Sequence, residues 1–376
     1  MTCDVRRGNE DEQTMTDTAS SRTTAETDTG EAATAAAGRG RTAPGGSDRP
    51  LVEAYDTALL DLDGVVYAGP HAIEHAVESL AAARDAGMRL AYVTNNASRP
   101  PRVVAEHLTE LGVPAEAGDV INSAQAAARL VAAKVPAGSK VLVCGGAGLV
   151  EALAEHGLVA VRSMDEQPVA VVQGFDPSLG WKDLAEASYA VAAGLPWIAS
   201  NTDLTVPTGR GIAPGNGMLV AAVRAATGEE PEVAGKPLPP MHRETVIRTG
   251  AKRPLVVGDR LDTDIEGAFN GGVDSLLVFT GIATPAQLLA APAEHRPTYL
   301  AADLRGLLAP QPEVSAVDGG YACGGWTARA VDGALVLGGS GDRWDGLRAV
   351  CAAAWTALDA DGGPVDGRKA LAELGF

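Results

Sequence analysis

A short aliphatic run that stops at polar or acidic residues and hands over to an amphipathic stretch recurs along this chain. It narrows the accessible folds more than any other feature. Thr57-Ala58-Leu59-Leu60-Asp61-Leu62 is the first such run. It lacks the alternation of a strand wetted on one face, so it reads as a strand covered on both, which is the habit of parallel sheets. Ile73 to Ala86 follows, with Ile73, Ala76, Val77, Leu80, Ala81 and Ala83 on one helical face and Gly87 as its stop. Arg89 to Val93 is a second strand, running into Thr94-Asn95-Asn96, and Arg102 to Leu111 a second helix ended by Gly112. This order predicts an α/β domain with a mostly parallel sheet.

The pattern repeats in a middle block: strands at Lys140 to Cys144, Val169 to Gln173 and Trp197 to Ser200, helices at Leu149 to His156 and Trp181 to Ala193. After Glu229-Glu230-Pro231 the first pattern resumes with the strand Pro254 to Asp259, a helix from Asp264 to Asn270 and the strand Ser275 to Phe279. One Rossmann-like core split by an inserted α/β domain fits this order better than three domains in series. The expected boundaries are residues 51–131 and 231–309 for the core and 132–230 for the insert. Residues 310–376 form a small α+β extension, in which Asp332-Gly333 joins two apolar strands as a tight hairpin turn and Trp344 to Leu358 is a helix. No catalytic constellation is visible there. Residues 1–50 are rich in Thr, Ala, Glu, Asp and Gly without a periodic apolar face and read as a disordered tail that packs on nothing.

The formal charge of −18 repels polynucleotides and anionic membrane surfaces, but leaves room for a small phosphorylated metabolite captured by a local cation or metal. The chain has no long apolar run and no leader pattern, so the cytoplasm is the default compartment and a membrane partner is not expected. A homo-oligomer is compatible with everything above. Cys3, Cys144, Cys323 and Cys351 are too scattered for a zinc knuckle or a disulfide framework.

Two acidic groups carry the chemistry. Asp61-Leu62-Asp63-Gly64-Val65 ends one buried strand and Gly258-Asp259-Arg260-Leu261-Asp262-Thr263-Asp264 ends another, at the strand edge where open α/β sheets bind ligands. A lone D-x-D is usually a solvated turn, and a calcium loop fails here because Gly64 comes too early and Val65 stands where a third ligand belongs. Two such groups on one edge instead suit Mg²⁺. Thr94 ends a third strand, and Lys236 lies in Val233-Ala234-Gly235-Lys236-Pro237, so a hydroxyl and an ammonium are available for phosphoryl oxygens. Gly145-Gly146-Ala147-Gly148 is no dinucleotide loop, since Glu151 occupies the place of the last required glycine.

In that order, D-x-D-G-V, the strand-end Thr94, Gly235-Lys236-Pro237 and the second acidic group resemble the haloacid dehalogenase superfamily of phosphatases, over roughly Ala54 to Leu308. The insert resembles the type IIA cap of the subfamily that includes 4-nitrophenyl phosphate, phosphoglycolate, ribonucleotide and pyridoxal phosphate phosphatases. The resemblance implies Asp61 as the nucleophile that becomes an aspartyl phosphate and Asp63 as general acid and then base. It implies Thr94, Asn95, Asn96 and Lys236 around the phosphate. Mg²⁺ would sit on Asp61, the main-chain carbonyl of Asp63, and Asp259, with Asp264 in support. It also implies that the loop carrying Asn201 and Asp203 selects the substrate. Similarity to actinobacterial members ranks glycerol 3-phosphate first and phosphoglycolate second, with nucleotides and sugar phosphates as alternatives. The extension resembles a fragment of an acetyltransferase-type fold without an acetyl-CoA loop, and the rival reading gives it a non-catalytic interaction role on a phosphatase platform.

Overall fold

The structure, a computed structural model, describes residues 40–376. The chain begins its core with β1 (Thr57–Leu60), α1 (Ala76–Asp85), β2 (Arg89–Thr94), α2 (Pro101–Glu110) and β3 (Val120–Asn122). The insert runs through α3 (Ser123–Ala132), β4 (Lys140–Cys144), α4 (Ala147–Glu155), β5 (Val159–Val161), β6 (Ala170–Gln173), α5 (Trp181–Ala192) and β7 (Trp197–Ala199). A hairpin of β8 (Thr205–Thr208) and β9 (Gly211–Pro214), then α6 (Asn216–Thr227) and β10 (Glu232–Val233), complete it. The core resumes with α7 (Pro239–Thr249), β11 (Pro254–Gly258), α8 (Glu266–Gly271), β12 (Asp274–Val278) and β13 (Tyr299–Ala301).

Six parallel strands form the core sheet in the order β13-β12-β11-β1-β2-β3. The double-sided burial expected of the first run is present. Ala58 and Leu60 face one layer with Leu90, Tyr92, Leu255 and Val257, while Leu59 faces the other with Ala91, Val93 and Ile121. The insert has its own parallel sheet, β10-β7-β6-β4-β5. Its last strand, Glu232–Val233, pairs with Ile198 and Ala199, so the insert's sheet continues past residue 230, where the charged Glu229-Glu230-Pro231 had marked its end.

Helix α3 and strand β3 are absent from the hydropathy reading, for a physical reason. Its buried positions, Ser123, Ala124, Gln125, Ala126, Ala127, Ala128 and Val131, are mostly small or polar residues, so the sequence offers no stripe of large apolar side chains to mark the helix. What starts it is local: Asn122 accepts from Gln125 N at 3.1 Å while the Gln125 side chain accepts from Asn122 N at 3.0 Å, a capping box. The helix is wedged between the two sheets. Its alanines share one apolar cluster with Leu59, Val93 and Ile121 of the core and Val141, Val143, Val172 and Ile198 of the insert.

The extension forms an antiparallel sheet, β14 (Ser315–Val317), β15 (Gly320–Cys323), β16 (Trp326–Val331) and β17 (Ala334–Gly339), backed by α9 (Arg343–Asp361) and α10 (Arg368–Glu373). The expected Asp332-Gly333 turn is present, with φ of 49° and 76°. Helix α9 is packed between the extension's own sheet and the core. Leu347, Val350, Ala354 and Trp355 join Ile265, Leu277, Leu288 and Leu300 in one cluster, and Trp355 Nε1 donates to Leu288 O at 2.9 Å.

The tail expectation needs correction where it can be checked. Residues 1–39 lie outside the described residues, but 40–50 dock on the core. Gly45 N donates to Thr298 O at 2.7 Å, Ser47 and Gln311 exchange backbone bonds of 2.8 and 2.9 Å, and Arg41 pairs with Asp274. Buried Arg296 ties this segment to the extension, donating to Arg41 O and to both oxygens of Asp359. Backbone bonds and a guanidinium leave no hydropathy pattern, which is why this docking is invisible in the sequence. No helix among the described residues is long and apolar enough to cross a membrane.

Candidate active site

Because β1, β2 and β11 are neighbours, their C-terminal ends deliver Asp61, Thr94 and Asp259 to one point on the sheet edge. Asp61 continues the line of β1, its N–H donating to Val257 O at 2.8 Å. The chain then turns sharply at Gly64, which has φ of 86° and lies so close to Asp259 that an added Cβ would stand 2.5 Å from Asp259 Oδ2. Gly258 is required in the same way, since a Cβ there would collide with Asp264 at 2.1 Å. The glycines of both acidic motifs are thus the space into which the carboxylates fit.

Lys236 Nζ donates to Asp61 Oδ1 at 2.6 Å, Asp264 Oδ1 at 2.8 Å and Val93 O at 3.0 Å, which uses all three of its protons. The second oxygen of Asp264 accepts from Arg260 N at 3.2 Å, so both its oxygens are engaged. Asp259 is different. Its Oδ2 accepts from Ile282 N at 2.7 Å, but its Oδ1 is buried without any partner. Asp61, Asp259 and Asp264 offer oxygens within 4.8 Å of one another. Burial, with the charges of Asp264 and Asp61, pushes the Asp259 carboxyl up to about 7. Burial likewise pushes Asp264 up to about 6, against the pull of Lys236. Burial works against the Lys236 ammonium, but Asp264 and Asp61 outweigh it and hold its pKa above the ordinary value. An orphaned carboxylate oxygen beside two more acids is a donor set that fits one hard divalent cation, which would satisfy that oxygen and relieve the repulsion.

Asp63 opens to the cleft. The surrounding walls still remove enough water to raise its pKa above the usual carboxylate range, opposed by Arg99 and Lys236. Thr94 Oγ1 accepts from Asn96 N at 3.1 Å, which leaves the hydroxyl proton free. The Asn96 N–H is therefore committed to Thr94, and its side chain accepts from Ser98 N and Oγ. Asn95 is a brace: its Oδ1 accepts from Lys236 N at 2.8 Å and its Nδ2 donates to Lys236 O at 3.1 Å and Asp203 Oδ1 at 3.3 Å.

The two loop residues expected to select the substrate part company. Asn201 is buried, with Nδ2 on Asn95 O at 2.6 Å and Oδ1 on Asp203 N at 3.2 Å, so both ends are engaged within the protein. Asp203 is half-buried between Asn95 and the charge of Arg260. Asn201→Ala is expected to lower stability by about 1–3 kcal/mol by orphaning these partners, and to slow all substrates alike. Asp203→Ala is expected to reorder substrates by kcat/KM. Thermal melts and kinetics on three phosphate esters separate the two outcomes.

Tyr67, Arg99 and Arg260 also stand at the cleft and carry no signal of their own in the sequence. Burial and the charges of Asp63 and Asp61 raise the Tyr67 hydroxyl, and Arg260 grips Asp262 through Nε and Nη2 at 3.0 and 2.8 Å. The glycines at 145–148 prove to be packing residues. A Cβ on Gly148 would meet Ala97 O at 2.3 Å and one on Gly146 would meet Ser98 O at 3.0 Å, so the insert's loop lies flat on the core loop that carries Thr94 to Asn96.

Residues 58–159 match a model of the haloacid dehalogenase-like hydrolases, residues 233–307 a related HAD-hydrolase-like model, and residues 323–376 a GCN5-related N-acetyltransferase-like domain. The chain is 44% identical to a D-glycerol 3-phosphate phosphatase of Mycobacterium tuberculosis, over 83% of its own length and 89% of that protein. An acid sugar phosphatase of Staphylococcus saprophyticus is 34% identical over 68% of this chain and 97% of its own. The crystal structure of a Mycobacterium tuberculosis glycerol phosphate phosphatase in complex with magnesium superposes with a TM-score of 0.80 at 42% identity, over 87% of this chain and 99% of that one. With the four motifs assembled on one sheet edge and these relatives covered almost end to end, the chain belongs to the haloacid dehalogenase-like hydrolases and is a phosphatase of that family.

Proposed function

We propose that this phosphatase hydrolyses a small phosphate monoester through an aspartyl-phosphate intermediate on Asp61, with glycerol 3-phosphate as its substrate. The observation that carries the reaction is the cluster of Asp61, Asp259 and Asp264 closed by Lys236, with Asp259 Oδ1 left over. The substrate rests on the 44% identity to a phosphatase named for D-glycerol 3-phosphate, over 89% of that protein.

Asp61, Asp259 and the main-chain carbonyl of Asp63 would hold Mg²⁺, with Asp264 supporting from behind through Lys236. Bound there, Mg²⁺ supplies the positive charge that lets a carboxylate approach a phosphate dianion. Lys236 adds to that charge and holds Asp61 in line. The Asp61 carboxylate then attacks phosphorus as the ester oxygen leaves, and Asp63, whose raised pKa suits a proton carrier, protonates the departing alkoxide. The free Thr94 proton would bind a phosphoryl oxygen, while Asn95 keeps Lys236 in place. In the second half Asp63 takes a proton from water. The water oxygen bonds to phosphorus, the acyl–phosphate bond breaks, and Asp61 is restored as phosphate leaves.

The purified protein with Mg²⁺ is expected to release phosphate fastest, by kcat/KM, from glycerol 3-phosphate among that ester, phosphoglycolate and a nucleotide; a higher value for either of the others overturns the substrate assignment. Asp63→Asn is expected to lose about 10²–10⁴-fold on glycerol 3-phosphate and much less on 4-nitrophenyl phosphate, whose leaving group needs no proton. Equal losses on both esters would remove Asp63 from the general-acid role.

A further inference from the structure

The chain crosses between core and insert twice, out along α3 and β4 and back along β10 and α7, and Lys236 lies on the return crossing between Val233 and Pro239. Its position is therefore set from two sides. On the insert side, Ala234 N donates to Ala199 O at 2.9 Å, continuing the strand pairing. On the core side the anchor is α7, and α7 contains a fully buried carboxylate, Glu244.

A buried carboxylate is tolerated only with partners, and Glu244 has two. Arg129 of α3 pairs with it, and Arg248, one turn further along α7, donates from Nε to Glu244 Oε1 at 2.5 Å. Arg248 then reaches out of the core, its Nη2 donating to Glu155 of the insert's α4 at 2.7 Å. Burial pushes the Glu244 carboxyl up, but the hydrogen bonds and charges of the two arginines outweigh it and hold its pKa below the ordinary range, so the ionised form is the one the network is built around. A second pair, Lys134 with Glu232 at 2.7 Å, joins the two crossing segments nearer the solvent. The result is a chain of charges from outgoing helix to return helix to insert, anchored on the helix that follows the lysine that touches Asp61.

We propose that Glu244 is a positioning residue: by locking α7 onto α3 and, through Arg248, onto the insert, it sets where Lys236 meets Asp61 and Asp264. This rests on the reading of Lys236 as part of the phosphatase site. Glu244→Gln keeps the shape but leaves Arg129 and Arg248 without their shared anion, so α7 loosens and the Lys236 ammonium drifts from the carboxylates. The expected result, measured well below the melting temperature, is a kcat lowered about tenfold on 4-nitrophenyl phosphate with KM within twofold. The same substitution in a Lys236→Ala background should cost no further kcat, although its effect on the melting temperature persists. In a crystal structure of Glu244→Gln, the Lys236 Nζ to Asp61 Oδ1 distance should exceed 2.6 Å. Should Glu244→Gln fail to fold, Glu155→Gln, which cuts only the outer link, is expected to lower kcat about twofold without moving KM. Unchanged kcat in the variant that folds, an equal loss in both backgrounds, or an unmoved Lys236 overturns the assignment. A wild-type protein without phosphatase activity, or a Lys236→Ala protein with full activity, would instead remove the underlying reading of the site.

Discussion

Asp61→Asn is expected to reduce phosphate release by roughly 10⁴-fold or more, the scale on which loss of a nucleophile acts, while the protein stays folded. The side-chain amide fills the same space at the end of β1, and the residue's main-chain N–H stays on Val257 O. It is a poor nucleophile, and it takes one negative charge out of a cluster that already suffers from too many. Asp61 raises the pKa of both Asp259 and Asp264, so neutralising it should bring each back toward the ordinary carboxylate range. Lys236 keeps Asp264 and Val93 O as partners, which is why the fold is expected to tolerate the change. Phosphate release with Mg²⁺ and a thermal melt check this together. Turnover at the wild-type rate in a folded variant would remove Asp61 from the centre of the reaction.

Ending the chain at Pro310 is expected to be the most damaging change to stability. The extension is the cover for one face of the core's edge strands. Without α9, Leu277 and Leu300 on those strands, with Ile265 and Leu288 beside them, lose the cluster that shields them. Trp355 alone, fully buried, would cost about 3–5 kcal/mol on truncation to alanine. Losing it with Leu347, Val350 and Ala354 is comparable to the whole stability of a typical domain, about 5–15 kcal/mol. Arg296 would also be left as a buried guanidinium without Asp359. The truncated chain should be insoluble, or should unfold without a cooperative transition. A soluble product melting at the full-length temperature would show that the extension is a tethered module. The same packing bears on the interaction role once considered for this segment, since its apolar side already has an occupant.

The core strands, the split domain and the acidic motifs were legible because each is local. A strand buried on both faces is a run of adjacent aliphatics, a helix is a period, and D-x-D-G is a strand end followed by a turn only glycine permits, so Leu59, Leu60, Asp61 and Gly64 declare themselves within a few residues. Asn201 was expected to contact the substrate because the family resemblance implies that its loop selects the substrate. Only the tertiary structure shows both ends of its amide taken by Asn95 and Asp203. Helix α3 and the docked segment at 40–50 were silent for different reasons: one buries mostly small and polar residues, the other is held by backbone bonds that no side chain reports. The site's electrostatics belong to the same class. That Asp259 has an orphaned oxygen, or that Glu244 is sealed between two arginines, depends on residues more than a hundred positions apart meeting in a medium without water. Sequence determined which groups exist and which strand ends carry them, because that follows from neighbours along the chain. Burial and pairing, which fix each group's charge and partner, were decided only by the packing of distant segments.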